Sequence, residues 1–448
     1  MFAVGTSAVN AGQDDIVVTE TTLAGEAAAA EGLMVETVLN EDRQLYWRTT
    51  HAVSTEPNAV TEFKFYQSRQ DTGYEGGYQE VYFSTGGADF GMSGSIDLED
   101  RLNEYLYGGS TELLLPVIDL AERTAAGETK TEVMQLNRYY DYYPVALDAS
   151  WVASEHTAGV QRVHAEQLTD YLRIPVPDND YIEVTVTKDV SGQVVEVSCN
   201  SYETEGETAY TYGNTVVAGD AIYLLLRGSH DYSQIKGGYG LLRIPISYIT
   251  KYGNLYYEEP EAYLNMTEIE NVYPLDTGMS EKFLLKEGMD DSELLLFEQT
   301  DDGVILRVLD TADFTVRQEM KLNREEEPCV WYHEDLLIMG DANYGKADGT
   351  LQVLRRINGQ YSLWLETTFY PLNDTQTIYS DLTFVFDGTR FAMADFSNVY
   401  TCGSHRVTVY DETGLVYAGD YHYSSDDLTE PIYTFNYDEP LRLSWQQS

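Results

Sequence analysis

A strand pattern that occurs twice between Leu336 and Gly414 places the strongest constraint on the fold. In each copy an apolar strand is followed by a loop, a second strand and a tight polar turn. The copies comprise 336–339, 351–354 and the turn 358–359, then 391–394, 406–410 and the turn 411–414. A buried strand, an alternating strand and a hairpin turn at this spacing indicate one blade of a β-propeller.

The same pattern begins further upstream, at Ala221 and at Leu294, and strand-like segments dominate from Leu33 onwards. The sequence therefore predicts an all-β fold, a β-propeller of about seven four-stranded blades, with six as the alternative count. One segment differs, because Asp97 can cap a helix in which leucines recur every four residues. We expect a short helical insertion over 97–107.

The chain ends in two strand-like segments, 431–435 and 441–445, which start a unit that nothing follows. Open sheet edges invite pairing with other chains, so a ring of blades has to close. We therefore expect the strand near 34–39 to complete the last blade. This predicts a single propeller domain over 33–448, closed by pairing of its N- and C-terminal strands.

The first residues bear on the cellular location of the protein. Residues 1–11 are small and apolar, and Val9 and Ala11 stand where a signal peptidase requires small side chains. We interpret 1–11 as the remnant of a signal peptide or membrane anchor, and 12–32 as an acidic, Ala/Thr-rich tether. These segments predict an extracytoplasmic protein, either secreted or anchored to the outer face of the membrane through a missing N-terminal segment.

The charge of the chain excludes several classes of partner. It has 75 Asp and Glu against 27 Lys and Arg, a formal net charge of -48. A field of this sign repels phosphate backbones and anionic lipid headgroups, so we expect no nucleic-acid binding and no charge-driven membrane binding. Neutral glycans, cationic proteins and divalent cations remain compatible. The three cysteines form no framework, and a Cys329–Cys402 bridge is one alternative to three reduced thiols.

A dense aromatic cluster is the first candidate site. It consists of Tyr139, Tyr140, Tyr142 and Tyr143. One interpretation is a stacking platform for a sugar, because aromatic rings offer flat apolar faces. The other is packing inside a blade, which the overall count of 37 tyrosines favours.

A Gly/Asp loop is the second candidate site. Asp341, Asn343 and Asp348 flank two glycines and offer oxygen ligands for Ca²⁺, although their spacing departs from that of an EF-hand. A polar loop between two strands is the alternative. The same loop nearly spells a P-loop, but Ala347 replaces the metal-binding hydroxyl and a strand follows, so we expect no nucleotide. We predict no other cofactor.

The blade repeats from Ala221 to Tyr417, together with the export-like Val9-Asn10-Ala11, resemble secreted β-propeller-type proteins of Gram-positive bacteria that have no assigned activity. The resemblance implies a propeller fold and a location outside the membrane. It carries no functional residues.

No catalytic residue is predicted, because neither a zinc-protease HExxH nor a GxSxG nucleophile elbow occurs in the chain. The leading hypothesis is a non-catalytic extracytoplasmic binding or scaffold protein that recognises a protein or glycan of the cell envelope through one propeller face. The first alternative is a secreted glycan-active hydrolase or lyase with its site at the channel. The second is the sensor ectodomain of a membrane-anchored signalling protein. We expect a monomer.

Overall fold

A computed structural model describes most of the chain. The described residues are 17–41, 45–54, 57–65, 79–85, 90–108, 111–154, 157–162, 165–202, 210–250, 260–341, 349–368, 382–395, 404–424, 434–435 and 441–446. The chain divides into two compact units, one formed by Met1–Glu75 with Glu326–Ser448 and the other by Gly76–Glu325. The expected signal or anchor remnant at 1–11 lies outside the described residues.

The first unit contains three antiparallel sheets. Its N-terminal strands are β1 (Val17–Gly25), β2 (Leu33–Glu41), β3 (Leu45–Ala52) and β4 (Val60–Phe65). Strands are numbered along the whole chain, and β5 to β20 belong to the second unit. The other strands of the first unit are β21 (Pro328–His333), β22 (Leu336–Asp341), β23 (Thr350–Ile357), β24 (Gln360–Thr368), β25 (Leu382–Phe386), β26 (Phe391–Asp395), β27 (Ser404–Asp411), β28 (Gly414–Ser424), β29 (Thr434–Phe435) and β30 (Arg442–Trp445). The strand orders are β21-β22-β23-β24, β25-β26-β27-β28-β1, and β4-β3-β2 with β29 and β30 both pairing β2.

The second unit contains four antiparallel sheets. Its strands are β5 (Gln79–Thr85), β6 (Phe90–Ser93), β7 (Thr129–Gln135), β8 (Val145–Ser154), β9 (Thr157–Arg162), β10 (Tyr181–Lys188), β11 (Val194–Tyr202), β12 (Thr211–Ala218), β13 (Ala221–Gly228), β14 (Gly240–Thr250), β15 (Pro260–Leu264), β16 (Glu270–Pro274), β17 (Phe283–Glu287), β18 (Glu293–Thr300), β19 (Gly303–Asp310) and β20 (Val316–Leu322). The strand orders are β5-β8-β9, β6-β11-β10-β7, β12-β13-β14-β15 with β16 also pairing β14, and β17-β18-β19-β20.

Three of the sheets, β12–β15, β17–β20 and β21–β24, are antiparallel meanders of the propeller-blade type, in which neighbouring strands follow one another along the chain. In three more, consecutive antiparallel strands are joined by strands from elsewhere in the chain: β1 joins β25–β28, β29 and β30 join β2–β4, and β5 joins β8 and β9. The all-β, propeller-type prediction is therefore confirmed. The remaining sheet, β6-β11-β10-β7, has a different order, since β6 and β7 come between β5 and β8 while β10 and β11 come after β9. We call β6-β11-β10-β7 the inserted sheet, because its strands lie in the chain on either side of β8 and β9.

Three α-helices accompany the inserted sheet in the second unit. They are α1 (Leu98–Gly108), α2 (Leu114–Glu122) and α3 (Ala165–Leu172). The helical insertion expected over 97–107 is confirmed, and Asp97 caps it by accepting hydrogen bonds from the backbone N–H groups of Glu99 and Asp100 at 3.0 and 3.2 Å. No helix of the described part is long and apolar enough to cross a membrane.

The N- and C-terminal strands meet in one sheet, hereafter the terminal sheet, made of β30, β29, β2, β3 and β4. Strand β2 pairs antiparallel with β30, and Val35 lies opposite Leu443. Both residues belong to the same apolar cluster, in which Val35 is fully buried. The first and last described segments of the chain are therefore held together by a ladder and by a shared core.

The tether expected over 12–32 is wrong for Val17–Gly25, which forms β1 and pairs with β28 from Ser424 to Tyr417. This segment is rich in Val and Thr, whose branched side chains suit a pleated strand. Val18 is buried against the apolar cluster of the terminal sheet, and the ladder satisfies the edge of β28. Composition alone favoured a solvated segment, but the available sheet edge decides its structure.

The second strands of three sheets, β13, β18 and β22, are apolar and lie in the cores. Every residue of β13 is buried, as are the first five residues of β18 and of β22. Because a sheet presents two faces, a strand buried on both needs cover from both sides. Within each unit this cover comes from neighbouring sheets, which share the apolar clusters in which these strands lie.

A core substitution tests this packing. We expect Leu296→Ala in β18 to lower the free energy of unfolding by about 2–5 kcal/mol, because Leu296 is fully buried and its truncation leaves a cavity. The matched change Val316→Ala in β20, where the side chain is 41% exposed, should alter stability by about 0.5 kcal/mol or less. Denaturant unfolding measures both, and equal losses would contradict the assignment of β18 to the core.

Candidate ligand-binding site

Two members of the predicted tyrosine cluster lie inside the second unit. Tyr140 and Tyr143 are buried, 8% and 6% exposed. The Tyr140 hydroxyl accepts a hydrogen bond from the backbone N–H of Leu115 at 2.9 Å, and the Tyr143 hydroxyl donates to Asp180. Burial and this bond raise the pKa of Tyr143. The faces of these two rings are removed from solvent, so they pack the fold and do not form a platform.

The other two members are partly buried and also hold structure together. The Tyr139 hydroxyl donates to Asp119 at 2.6 Å, and burial together with this bond raises the pKa of Tyr139 to about 12. The Tyr142 hydroxyl donates to Gln234 at 3.0 Å. A ligand role predicted for this cluster would therefore be limited to Tyr139 and Tyr142.

The predicted calcium loop is only partly described. Asp341 ends β22, and its carboxylate accepts a hydrogen bond from the backbone N–H of Thr350 at 2.5 Å, across the mouth of the loop. Asn343 and Asp348 lie outside the described residues. The Ca²⁺ site stays a prediction.

A different pair of tyrosines, outside the predicted cluster, is exposed to solvent. Tyr210 and Tyr212 stand two residues apart at the start of β12, on the same side of the strand, and are 49% and 43% exposed. Their rings are nearly parallel, with an interplanar angle of 5° and centroids 6.2 Å apart. We call this pair the tyrosine platform.

The backbone of the platform is fixed by the neighbouring strand. Tyr210 accepts from the N–H of Ser229, and its own N–H donates to the Ser229 hydroxyl, both at 3.0 Å. Gly228 makes this approach possible, because a Cβ there would stand 2.0 Å from the Tyr210 carbonyl oxygen. The pair is therefore held on a rigid strand.

A cation and a carboxylate flank the platform. The guanidinium carbon of Arg227 lies 5.2 Å from the centre of the Tyr212 ring, a cation–π arrangement. Arg227 also donates to the backbone carbonyl of Glu281 at 2.8 Å, and the Tyr210 hydroxyl lies 3.4 Å from a Glu281 carboxylate oxygen. Hydrogen-bonding groups thus stand at the edge of two apolar faces.

A polar network packs against the face of β12 opposite Tyr210 and Tyr212 and stabilises the strand. The hydroxyl of Thr211, between the two tyrosines, lies 2.8 Å from Nδ1 of His230 and 2.7 Å from the Tyr232 hydroxyl. Burial lowers the pKa of His230 and raises the pKa of Tyr232, so both side chains are neutral near pH 7. Tyr143 packs edge-on against His230, with ring centroids 5.0 Å apart. The predicted cluster therefore contributes to the support of the platform and not to its exposed face.

Sequence reasoning missed the platform because Tyr210-Thr211-Tyr212 follows an acidic segment and precedes the recognisable blade at Ala221. The available signal was the alternation of aromatic, small polar and aromatic residues, which places both rings on one face of a strand. That the two rings face solvent follows only from the tertiary structure.

The geometry suits a ligand with a flat apolar face and hydroxyl groups at its edge. Half-exposed parallel rings offer apolar area to such a face, while the Glu281 carboxylate and the phenol groups offer acceptors and donors beside it. Arg227 is buried and supports the Tyr212 ring from one side. A pyranose ring has this chemistry.

No protein-family model and no curated protein matches this chain. Among solved structures, the chain is similar to a quinoprotein alcohol dehydrogenase-like protein from Bacteroides thetaiotaomicron VPI-5482, with 10% identity over 91% of this chain and 94% of that one, at a TM-score of 0.22. It is also similar to BamB from Moraxella catarrhalis, with 12% identity over 66% and 100% of the two chains, at a TM-score of 0.18. A eukaryotic initiation factor shares 9% identity over 63% and 88%, at a TM-score of 0.20. At such scores these likenesses carry no argument about function.

The support beneath the platform can be tested by removing one hydroxyl. We expect Thr211→Val to lower the free energy of unfolding by about 1–3 kcal/mol, because it removes the hydroxyl that His230 and Tyr232 share. Thr131→Val is the matched control, since Thr131 makes the same kind of bond to Thr185 on an exposed surface and should change stability by about 0.5 kcal/mol or less. Equal effects in denaturant unfolding would show that the network does not stabilise the strand.

Proposed function

We propose that this protein is a non-catalytic extracytoplasmic binding protein that recognises a neutral glycan of the cell envelope through the tyrosine platform. The single observation that supports the proposal is the parallel, exposed pair Tyr210 and Tyr212 on a strand that is fixed from both sides. Aromatic side chains that remain half exposed on rigid backbone bind at little entropic cost, because few torsions are left to order.

The charge of the protein supports a neutral ligand. With a net charge of -48, an anionic polymer would be repelled at long range, whereas an uncharged sugar ring is not. Stacking on a ring face depends on contact area and on C–H groups, and not on net charge. A cationic protein is the other partner that the charge admits.

The proposed location outside the membrane is supported by the export-like residues Val9 and Ala11. In that setting a rigid β-sheet protein that carries a sugar-stacking surface would bind envelope glycans without turning them over. The role of the platform is retention or positioning, and its chemistry is hydrogen bonding and stacking.

Binding to a panel of immobilised neutral glycans, followed by calorimetry on those retained, tests the proposal. We expect Tyr210→Ala and Tyr212→Ala each to weaken affinity about tenfold, equivalent to about 1.4 kcal/mol, since each removes one stacking face. Tyr202→Ala is the matched control, because Tyr202 is similarly exposed, at 44%, on β11 and should leave affinity unchanged.

Two results would contradict the proposal. One is an absence of binding to every neutral glycan by the wild-type protein. The other is glycan binding that survives both platform substitutions, since the ligand would then be held by other residues.

A further inference from the structure

Two histidines are buried between sheets of the first unit, away from the tyrosine platform. His51 lies on β3 of the terminal sheet and His405 lies on β27, and both are fully buried. Their ring centroids are 5.9 Å apart with an interplanar angle of 34°. The two histidines therefore place two titratable groups at the contact between the terminal sheet and the β25–β28 sheet, which we call the joint.

Tyrosine rings enclose the pair. His405 stacks on Tyr421, with centroids 5.3 Å apart and an interplanar angle of 11°, and lies 5.4 Å from Tyr423. His51 also stacks on Tyr421, at 5.0 Å. Both tyrosines belong to β28, so aromatic contacts join β3 of the terminal sheet to the β25–β28 sheet.

The hydrogen bonds of His51 fit a neutral ring that carries its proton on Nδ1. Its Nδ1 lies 3.1 Å from the carbonyl oxygen of Ala52, which only accepts, so Nδ1 carries the proton. Its Nε2 lies 2.9 Å from the Tyr423 hydroxyl and accepts from it. A second proton on His51 would make Nε2 a donor, so the Tyr423 hydroxyl would have to turn from donor to acceptor.

Protonating His405 would cost more free energy than protonating His51. Among the described residues, neither of its ring nitrogens has a hydrogen-bond partner. A neutral imidazole tolerates stacking between aromatic rings, whereas an imidazolium with no acceptor and no counter-ion does not. Burial, with His51 and His422 as further causes, holds the pKa of His405 well below its ordinary value, and burial lowers the pKa of His51.

Among the residues that the structure describes, the other titratable groups at the joint supply no counter-charge in contact with either ring. On β28, Tyr421 and Tyr423 have raised pKa values and stay neutral, while His422 is exposed. From β1, Glu20 reaches the cluster only through Tyr417, whose hydroxyl donates to it at 3.0 Å and lies 2.6 Å from the Tyr421 hydroxyl. The neighbouring ions are already paired, Arg406 with Asp420 and Arg48 with Glu36.

We propose that the cluster of His51, His405, Tyr421 and Tyr423 is an acid-sensitive latch between the terminal sheet and the β25–β28 sheet. Near neutral pH both imidazoles are uncharged and the aromatic stack holds the sheets together. On acidification, two cations 5.9 Å apart would occupy one desolvated joint. The state that relieves them is one in which the sheets separate and water reaches the rings.

The sign of the effect follows from proton linkage. A histidine whose pKa is lower in the folded state leaves stability unchanged above the ordinary value of 6.5, because both states are then neutral. Below that value the open state binds protons that the closed state does not, so stability falls as pH falls. Each histidine shifts the closed-to-open ratio by up to about tenfold per pH unit, and the pair by up to about a hundredfold.

The strands joined by the latch include those that connect the two ends of the described chain. β3 pairs with β2, and β2 holds β30 and β29. Opening would therefore loosen the terminal sheet first and leave the sheets of the second unit closed.

Amide hydrogen exchange by mass spectrometry, on the full chain between pH 7.5 and 5.5 and corrected for the intrinsic rate, tests the proposal. We expect protection in β2, β3, β27 and β28 to fall by at least about tenfold over this range. Protection in β18 and β19 of the second unit should not change. Unchanged protection in all of these strands would overturn the latch, as would an equal fall in every strand.

Variants separate the latch from general acid lability. His405→Phe keeps a ring on Tyr421 but removes a titrating group, and should reduce the fall by the contribution of one histidine, up to about tenfold per pH unit. His51→Gln, which keeps an amide near Tyr423, should reduce it and serves if His405→Phe does not fold. His422→Gln is the matched control, because His422 is exposed on the same strand and the fall should persist. A fall that is the same in the wild type, His405→Phe and His51→Gln would also overturn the proposal.

Discussion

The burial of apolar strands on both faces is the constraint on which the rest of this structure depends. A strand such as β13, buried along its whole length, cannot satisfy both of its faces inside one four-stranded sheet. The surrounding apolar clusters draw residues from several sheets of the same unit, as in the cluster that joins Ile338 of β22 to Phe391 of β26. Small sheets of similar build are stable here because each serves as the cover of another.

The same constraint explains why the N- and C-terminal strands of the described chain pair with other strands. β2 carries a fully buried Val35, and its free edge would be a ready template for pairing with another chain. Pairing with β30 and β29 satisfies that edge, and β1 adds a strand to the neighbouring sheet. The buried histidines lie between these two sheets, so the proposed latch lies where sequence-distant segments are joined. A joint of this kind opens without loss of the individual hairpins.

Tyrosine serves three different purposes in this protein, and the environment distinguishes them. Tyr410 is a packing residue with no exposed surface. Tyr143 and Tyr232 belong to polar networks in which burial raises the pKa of the phenol. Tyr210 and Tyr212 are about half exposed to solvent. A residue that combines a large apolar face with one hydroxyl suits all three, and its abundance is therefore no guide to a binding site.

The sequence by itself determined the strands, the helix that follows Asp97 and the propeller-type class, because these depend on local alternation, capping and turn chemistry. The tertiary structure decided what depends on contacts between distant segments. It made a strand of Val17–Gly25 by offering the edge of β28, and it assembled one sheet from β6, β7, β10 and β11. It also buried Tyr140 and Tyr143 while exposing Tyr210 and Tyr212, and brought His51 within 5.9 Å of His405. Periodicity specifies which face of a strand a side chain occupies, but only the packing of the sheets determines whether that face meets solvent.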